Sequence, residues 1–186
     1  MRMKPVLLVA LTALASCSSP EDTARYTLEP PPLTATVPNR IGRVEVRDVQ
    51  LPDYASGQEI GWQTPDGAVR SNPQNIWAET PQRAVTRTLA RQIEAASGAT
   101  AIAEPWPFAE PPARRLEVRV SRMLAGADGL FHLSGQYFVS PAGFSGSDLQ
   151  RSFDIAVPLA GEGPAAIAAA QARAIQILAT RIAQLS

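Results

Sequence analysis

The sequence predicts an α+β fold, a two-layer sandwich with a mainly antiparallel sheet and two helices packed on one face. Three observations predict it. Three alternating apolar runs succeed one another between residues 115 and 159 with short turns between them, a helical pattern spans residues 80–98, and a second one closes the chain from Pro164 to Leu185. Short connections between alternating runs imply an antiparallel meander with one face covered, and the two helices are the cover.

The elements follow in chain order. "SSPEDTA" (18–24) and "EPPPLTATVPN" (29–39) flank the short segment "RYTL". The first reads as a tether and the second as an extended connection, since neither can bury much apolar surface. In "IGRVEVRDVQLP" (41–52), Val44 and Val46 share one face and Arg43, Glu45 and Arg47 the other, a half-buried strand. Val49 and Leu51 fall on the opposite parity, which predicts a bulge or bend near Asp48. "EIGWQTPDGAVRS" (59–71) reads as two short strands around the turn "PDG".

The first helix is "TPQRAVTRTLARQIEAASGA" (80–99), with Thr80 as cap, Pro81 in the first turn and Gly98 as terminator. Val85, Leu89, Ile93 and Ala96 form its apolar stripe, and Arg83, Arg87 and Arg91 recur on roughly the opposite side. A proline-rich loop, "WPFAEPPAR" (106–114), leads to the meander. Its inward residues are Leu116, Val118 and Val120; then Phe131, Leu133, Tyr137 and Val139; then Phe153, Ile155, Val157 and Leu159. The last helix carries Ile167, Ala174, Ile175, Leu178, Ile182 and Leu185 on one stripe.

Ahead of all these elements stands a targeting segment. Arg2 and Lys4 precede the apolar run "VLLVALTALA" (6–15), which has the length of a secretory signal and is too short to span a bilayer. Leu14, Ala15, Ser16 and Cys17 then match the lipobox of bacterial lipoproteins, where small residues fit the signal peptidase and the thiol takes a diacylglycerol. This reading makes residues 1–16 a signal peptide, residues 17–25 a lipidated tether and residues 26–186 a single domain. Two acyl chains suffice for stable anchoring. Such lipoproteins with Asp after the cysteine tend to stay at the inner membrane; here the position is Ser18, which favours the periplasmic face of the outer membrane.

Charge and cysteine usage narrow the function classes. The chain has 17 basic and 17 acidic residues, and loss of Arg2 and Lys4 leaves the mature chain slightly acidic, which argues against nucleic acid as a partner. With one cysteine in the chain there is no disulfide framework. The single histidine, His132, has outward parity beside Ser134 and Gln136, so a solvated surface position is expected. One histidine and one lipidated cysteine cannot make a zinc site. No G-x-S-x-G, phosphate loop or dinucleotide fingerprint occurs, and the carboxylates alternate singly with arginine on polar faces. The expectation is a protein with no catalytic residue, no metal and no cofactor beyond the lipid on Cys17.

The stretch from Val44 to Ile93 resembles the first half of the PqiC-type ABC-transport auxiliary lipoproteins. In that family a strand ends in a Leu-Pro and tyrosine segment, an isoleucine-bearing strand and turn follow, and a Trp-Ala-Glu element opens a helix. Here these are Leu51, Pro52, Tyr54, Ile60, Trp77, Ala78 and Glu79. "RYTL", "LEVRVSRMLAG" and "LSGQYFVS" extend the resemblance over essentially the whole mature chain. Departures are Gln63 where the family often has a basic residue, and Thr80-Pro81 where it has Pro-Leu. The resemblance implies an outer-membrane, non-catalytic subunit of an intermembrane lipid transport system. Its implied partners are a periplasmic MCE-domain (mammalian cell entry) protein and an inner-membrane ABC transporter, with homo-oligomerisation to match MCE rings. A stand-alone structural or assembly lipoprotein of the outer membrane is the alternative.

Partner-binding candidates are few. Tyr54 and Trp62 lie in a segment rich in small and polar residues, where exposed aromatics suit an interface. Trp77, just before a helix cap, serves either as an anchor or as packing beneath that helix, with packing favoured. Arg83, Arg87 and Arg91 offer a row to an acidic partner or lipid head groups, or else a solvated face in which Glu94 pairs with Arg91.

Overall fold

A computed structural model of the chain describes residues 22–143 and 146–185. Cys17 and the signal segment lie outside the described residues. In chain order the elements are β1 (Ala24–Tyr26), β2 (Arg43–Val46), α1 (Asp53–Ser56), β3 (Trp62–Gln63), β4 (Val69–Arg70), β5 (Asn75–Trp77), α2 (Pro81–Ser97), β6 (Thr100–Ala103), β7 (Arg114–Ala125), β8 (Leu130–Pro141), β9 (Leu149–Pro158) and α3 (Pro164–Gln184). The α+β class and the packing of α2 and α3 beneath the sheet are as predicted.

The long pairings are antiparallel: β8 lies between β7 and β9 along nearly its whole length. The other edge of β7 is shared. Its N-terminal end pairs with β2, whose far edge pairs with β6, and its last residue, Ala125, pairs with Trp62 of β3. All three of these pairings are parallel, and the β3–β4 hairpin is antiparallel. The sheet is therefore mixed where β2 and α2 enter it. A parallel neighbour needs a crossover, and α2 supplies it between β2 and β6. β6, "TAIA", was missed by periodicity because four residues with two alanines carry no clear alternation.

The parity change at Asp48 has a physical counterpart. Arg47 donates its backbone N–H to Leu116 and Gln50 donates to Val118, both at 2.9 Å, so three steps on this strand oppose two on β7. The extra residue turns Val49 into the core at 0 % exposure. A second irregularity lies between Val120 and Arg122, opposite Gly135. A Cβ on Gly135 would sit 2.1 Å from the Arg119 carbonyl oxygen, which explains the glycine.

The predicted inward residues of the meander are buried, except that Leu159 is half-buried. Both helix stripes enter the same core. Helix α2 starts at Pro81 and ends at Gly98, whose left-handed conformation (φ 71°) and N–H to the Glu94 carbonyl make an αL cap. The Thr80 side chain makes no capping hydrogen bond, a correction to its expected role; its carbonyl instead accepts from Ala84.

The proline-rich connection also differs from expectation. Rather than merely spanning, it straps across the two helices, with Val37 N–H on the Ala96 carbonyl at 2.8 Å and Arg40 N–H on Ala183 at 3.3 Å. Leu28 and Ile41 at its two ends are buried. The loop between β6 and β7 crosses the outer face of β2, where the Arg43 guanidinium lies 5.6 Å from the Trp106 ring centre and Glu45 accepts from the Trp106 backbone at 3.0 Å.

Candidate functional site

The described chain begins beside β5. Ala24 pairs in parallel register with Asn75, its N–H donating to Gln74 at 2.7 Å, and the Tyr26 hydroxyl reaches the Asn75 side-chain oxygen at 3.3 Å. On its other side β5 meets residues 58–60 in antiparallel fashion: Trp77 donates to Gln58 at 2.7 Å and Ile60 to Asn75 at 3.0 Å. This small ladder, together with the β3–β4 hairpin, builds one end of the domain.

Two surface grooves flank the hairpin. One, of about 720 Å³, runs between Trp62 and the start of α3, lined by the apolar Ala125, Leu159, Pro164 and Ile167 and by the amides Asn72 and Asn75. The other, of about 830 Å³, lies between β1 and the hairpin and is lined by Arg25, Tyr54, Glu59, Val69 and Ile76. The two predicted aromatics therefore open into different grooves. Tyr54, 42 % exposed, sits on the single turn α1, and its hydroxyl accepts the Met123 backbone N–H at 3.2 Å. Trp62 is half-buried, with its partly buried side chain packed against the core.

Trp77 is 6 % exposed and belongs to the core, in keeping with the packing role. Arg83, Arg87 and Arg91 are all exposed on α2. Arg87 pairs with Glu79 at 2.8 Å; Arg91 turns to the Thr88 hydroxyl at 3.3 Å rather than to Glu94. Arg83 makes no ion pair among the described residues. The row lies on a different element from the grooves, so Tyr54, Trp62 and the arginines are not gathered into one pocket.

His132 is not in the solvated position expected of it. Its side chain is only 16 % exposed and its Nε2 lies 2.9 Å from Asp128 in the β7–β8 turn. The turn, not the bulk solvent, is its environment. Among the described residues no group of three His, Cys, Asp or Glu side chains is placed to hold a metal ion.

Sequence reasoning missed most of the first groove, because its walls come from segments around residues 62, 72–75, 125–129 and 159–167. The one local signal was "GEGP" before the last helix, where Gly163 (φ 83°) bends the chain into α3 and lines the groove. Elsewhere, Phe108 is 53 % exposed and packs edge-on to Trp106 at 5.4 Å, in the loop near the opposite end of β7.

Comparison with known proteins adds a family and a fold. The family described as "ABC-type transport auxiliary lipoprotein component" matches residues 26–183. A crystal structure of an uncharacterized protein superposes with a TM-score of 0.70 at 20 % identity, covering 87 % of this chain and 97 % of the other. A Xanthomonas campestris protein of the DUF330 family superposes with a TM-score of 0.60 at 18 % identity, covering 84 % of this chain and 92 % of its own. At these identities the likeness concerns the fold alone. No curated protein matches in sequence. No helix among the described residues is long and apolar enough to cross a membrane.

Proposed function

The chain belongs to the ABC-type transport auxiliary lipoprotein family, and from that premise we propose that it is a non-catalytic, outer-membrane subunit of an ABC/MCE-type intermembrane lipid transport system. The observation that carries the reading is the extent of the match, from Tyr26 to Ala183, which includes every element of the core sheet and both long helices. Cys17 takes the lipid, and Ser18 after it directs the protein to the periplasmic face of the outer membrane.

The proposed partners are a periplasmic MCE-domain protein and the inner-membrane ABC transporter that works with it, approached by a homo-oligomer of this chain. Anchoring on a short tether raises the local concentration of the domain where such a partner ends, without any new contact. The proposed contact surface includes the segment from Tyr54 to Trp62, where an exposed tyrosine and a half-buried tryptophan are carried on short elements beside the tether. Arg83 and Arg91, neither of which makes an ion pair among the described residues, are the members of the arginine row offered to an acidic partner.

Calorimetry of the lipidated protein with its cognate MCE protein, in detergent and without added phospholipid, tests the reading. Trp62→Ala weakens binding by about 1 to 3 kcal/mol, roughly 5- to 150-fold, with an unchanged circular dichroism spectrum. Unchanged affinity removes Trp62 from the interface; no binding by the wild type overturns the transport reading. For the anchor, labelling with a palmitate analogue marks the wild type and not Cys17→Ala.

A further inference from the structure

We propose that the groove between Trp62 and the start of α3 receives one acyl chain of a phospholipid from the membrane in which the protein is anchored; this rests on the lipid-transport reading and on acylation of Cys17. Its volume, about 720 Å³, falls within the range of small-molecule sites. Its walls are the indole of Trp62 and the side chains of Ala125, Leu159, Pro164 and Ile167, and Glu162 is the one ionisable residue among the described residues that line it. A site with so few charges suits a hydrocarbon chain, which is stabilised in proportion to the apolar area removed from water. The Asn72 and Asn75 amides in its lining provide donors for ester or phosphate oxygens.

The location argues for a bilayer lipid as the occupant. Asn75, in the lining, is the register partner of Ala24, two residues from the first described residue, Asp22. Ala24 lies seven residues after Cys17, a stretch that spans at most about 25 Å even fully extended. An acylated Cys17 therefore keeps Asn75, and with it this end of the domain, within that distance of the lipid surface. The opposite end of β7, near Phe108, is on the order of 35 Å away along the strand.

The test uses the full lipidated protein in vesicles of phosphatidylethanolamine and phosphatidylglycerol doped with a phosphatidylcholine whose acyl chain bears a diazirine. After irradiation and digestion, the expected label lies on peptides containing Trp62, Leu159 and Ile167. Leu159→Arg, which places a charge at a half-buried wall, lowers that labelling at least about tenfold, and the uncharged Leu159→Gln lowers it in the same direction. Label confined to peptides outside the groove overturns the proposal, as does labelling unchanged by both substitutions. Groove labelling seen in Cys17→Ser but absent from the lipidated wild type also overturns it, since the protein's own anchor would then be the occupant. The calorimetric experiment contains no added phospholipid, so the groove proposal and the transport reading fail separately.

Discussion

The side-chain amide of Gln176 on α3 donates to the backbone carbonyl of Pro31, 2.6 Å away and 145 positions earlier in the chain. The same nitrogen reaches Gln92 Oε1 on α2 at 3.1 Å, and Arg173 donates to the Gln176 oxygen. One residue, 1 % exposed, thus ties the strap to both helices. Gln176→Ala is expected to cost about 1 to 3 kcal/mol, because it leaves Gln92 and the strap without their partner. Limited proteolysis should show the effect locally, as faster cleavage between Glu29 and Arg40; an unchanged cleavage rate would remove the amide from that role.

Tyr54 tests whether the exposed aromatic near the tether is held rigidly. Its hydroxyl accepts the Met123 backbone N–H, so Tyr54→Phe removes a hydrogen bond while keeping the ring. A loss of about 1 kcal/mol in chemical denaturation is expected, together with faster amide exchange at Met123. Exchange at Met123 identical to wild type would show that the ring alone positions α1.

Gly135 carries a steric prediction. Alanine there must push its Cβ away from the Arg119 carbonyl and from Val120 Cα, 2.9 Å off, both of them backbone atoms in the longest strand pairing. Gly135→Ala is expected to destabilise the fold by at least about 2 kcal/mol, in the range of overpacked cores. Thermal unfolding reads this directly, and Gly143→Ala, whose Cβ would meet nothing within 4 Å, is the matched control.

Asp128 carries a pH prediction. The Leu130 backbone N–H, 3.1 Å from its carboxylate, holds its pKa below the usual range against partial desolvation, and His132 lowers it further. A depressed folded-state pKa means that the contribution to stability is fully present above the unfolded value near 3.9 and is lost as pH falls through the folded value. The stability difference between wild type and Asp128→Asn should therefore shrink between about pH 5 and pH 2. An NMR titration midpoint for Asp128 at or above the ordinary value would contradict this.

Much of the architecture was legible from residue spacing. The alternation of Leu116, Val118 and Val120, and of Phe153, Ile155 and Val157, named the inward face correctly because side-chain period in a strand is a local property. The helix limits at Pro81 and Gly98 were legible for the same reason: a proline lacking an N–H and a glycine at positive φ act on their own turn. Even the flip at Val49 could be anticipated, since a parity change within one strand requires an extra residue somewhere.

His132 shows where such reasoning stops. Parity placed its side chain on the outer face, and that much holds, yet only the fold of the β7–β8 turn brings Asp128 within 2.9 Å and covers the ring. The candidate site was less legible still. Tyr54, Trp62, Trp77 and the arginines were chosen by residue type, and the structure separates them into two grooves, the core and the face of a helix.

By itself the sequence determined the period of each long element, the residues that face the core and the limits of α2 at Pro81 and Gly98. These depend on the near neighbours of each residue. Tertiary structure alone decided that β2 runs parallel to β6 and β7, that the strap from Glu29 to Arg40 docks on both helices, and that Trp62 shares a groove with Leu159 and Ile167. A strand's alternation is the same whether its neighbour runs parallel or antiparallel, and an extended proline segment has no period to read. Those choices were made by how the elements fit over one shared core, where burial depends on partners far along the chain.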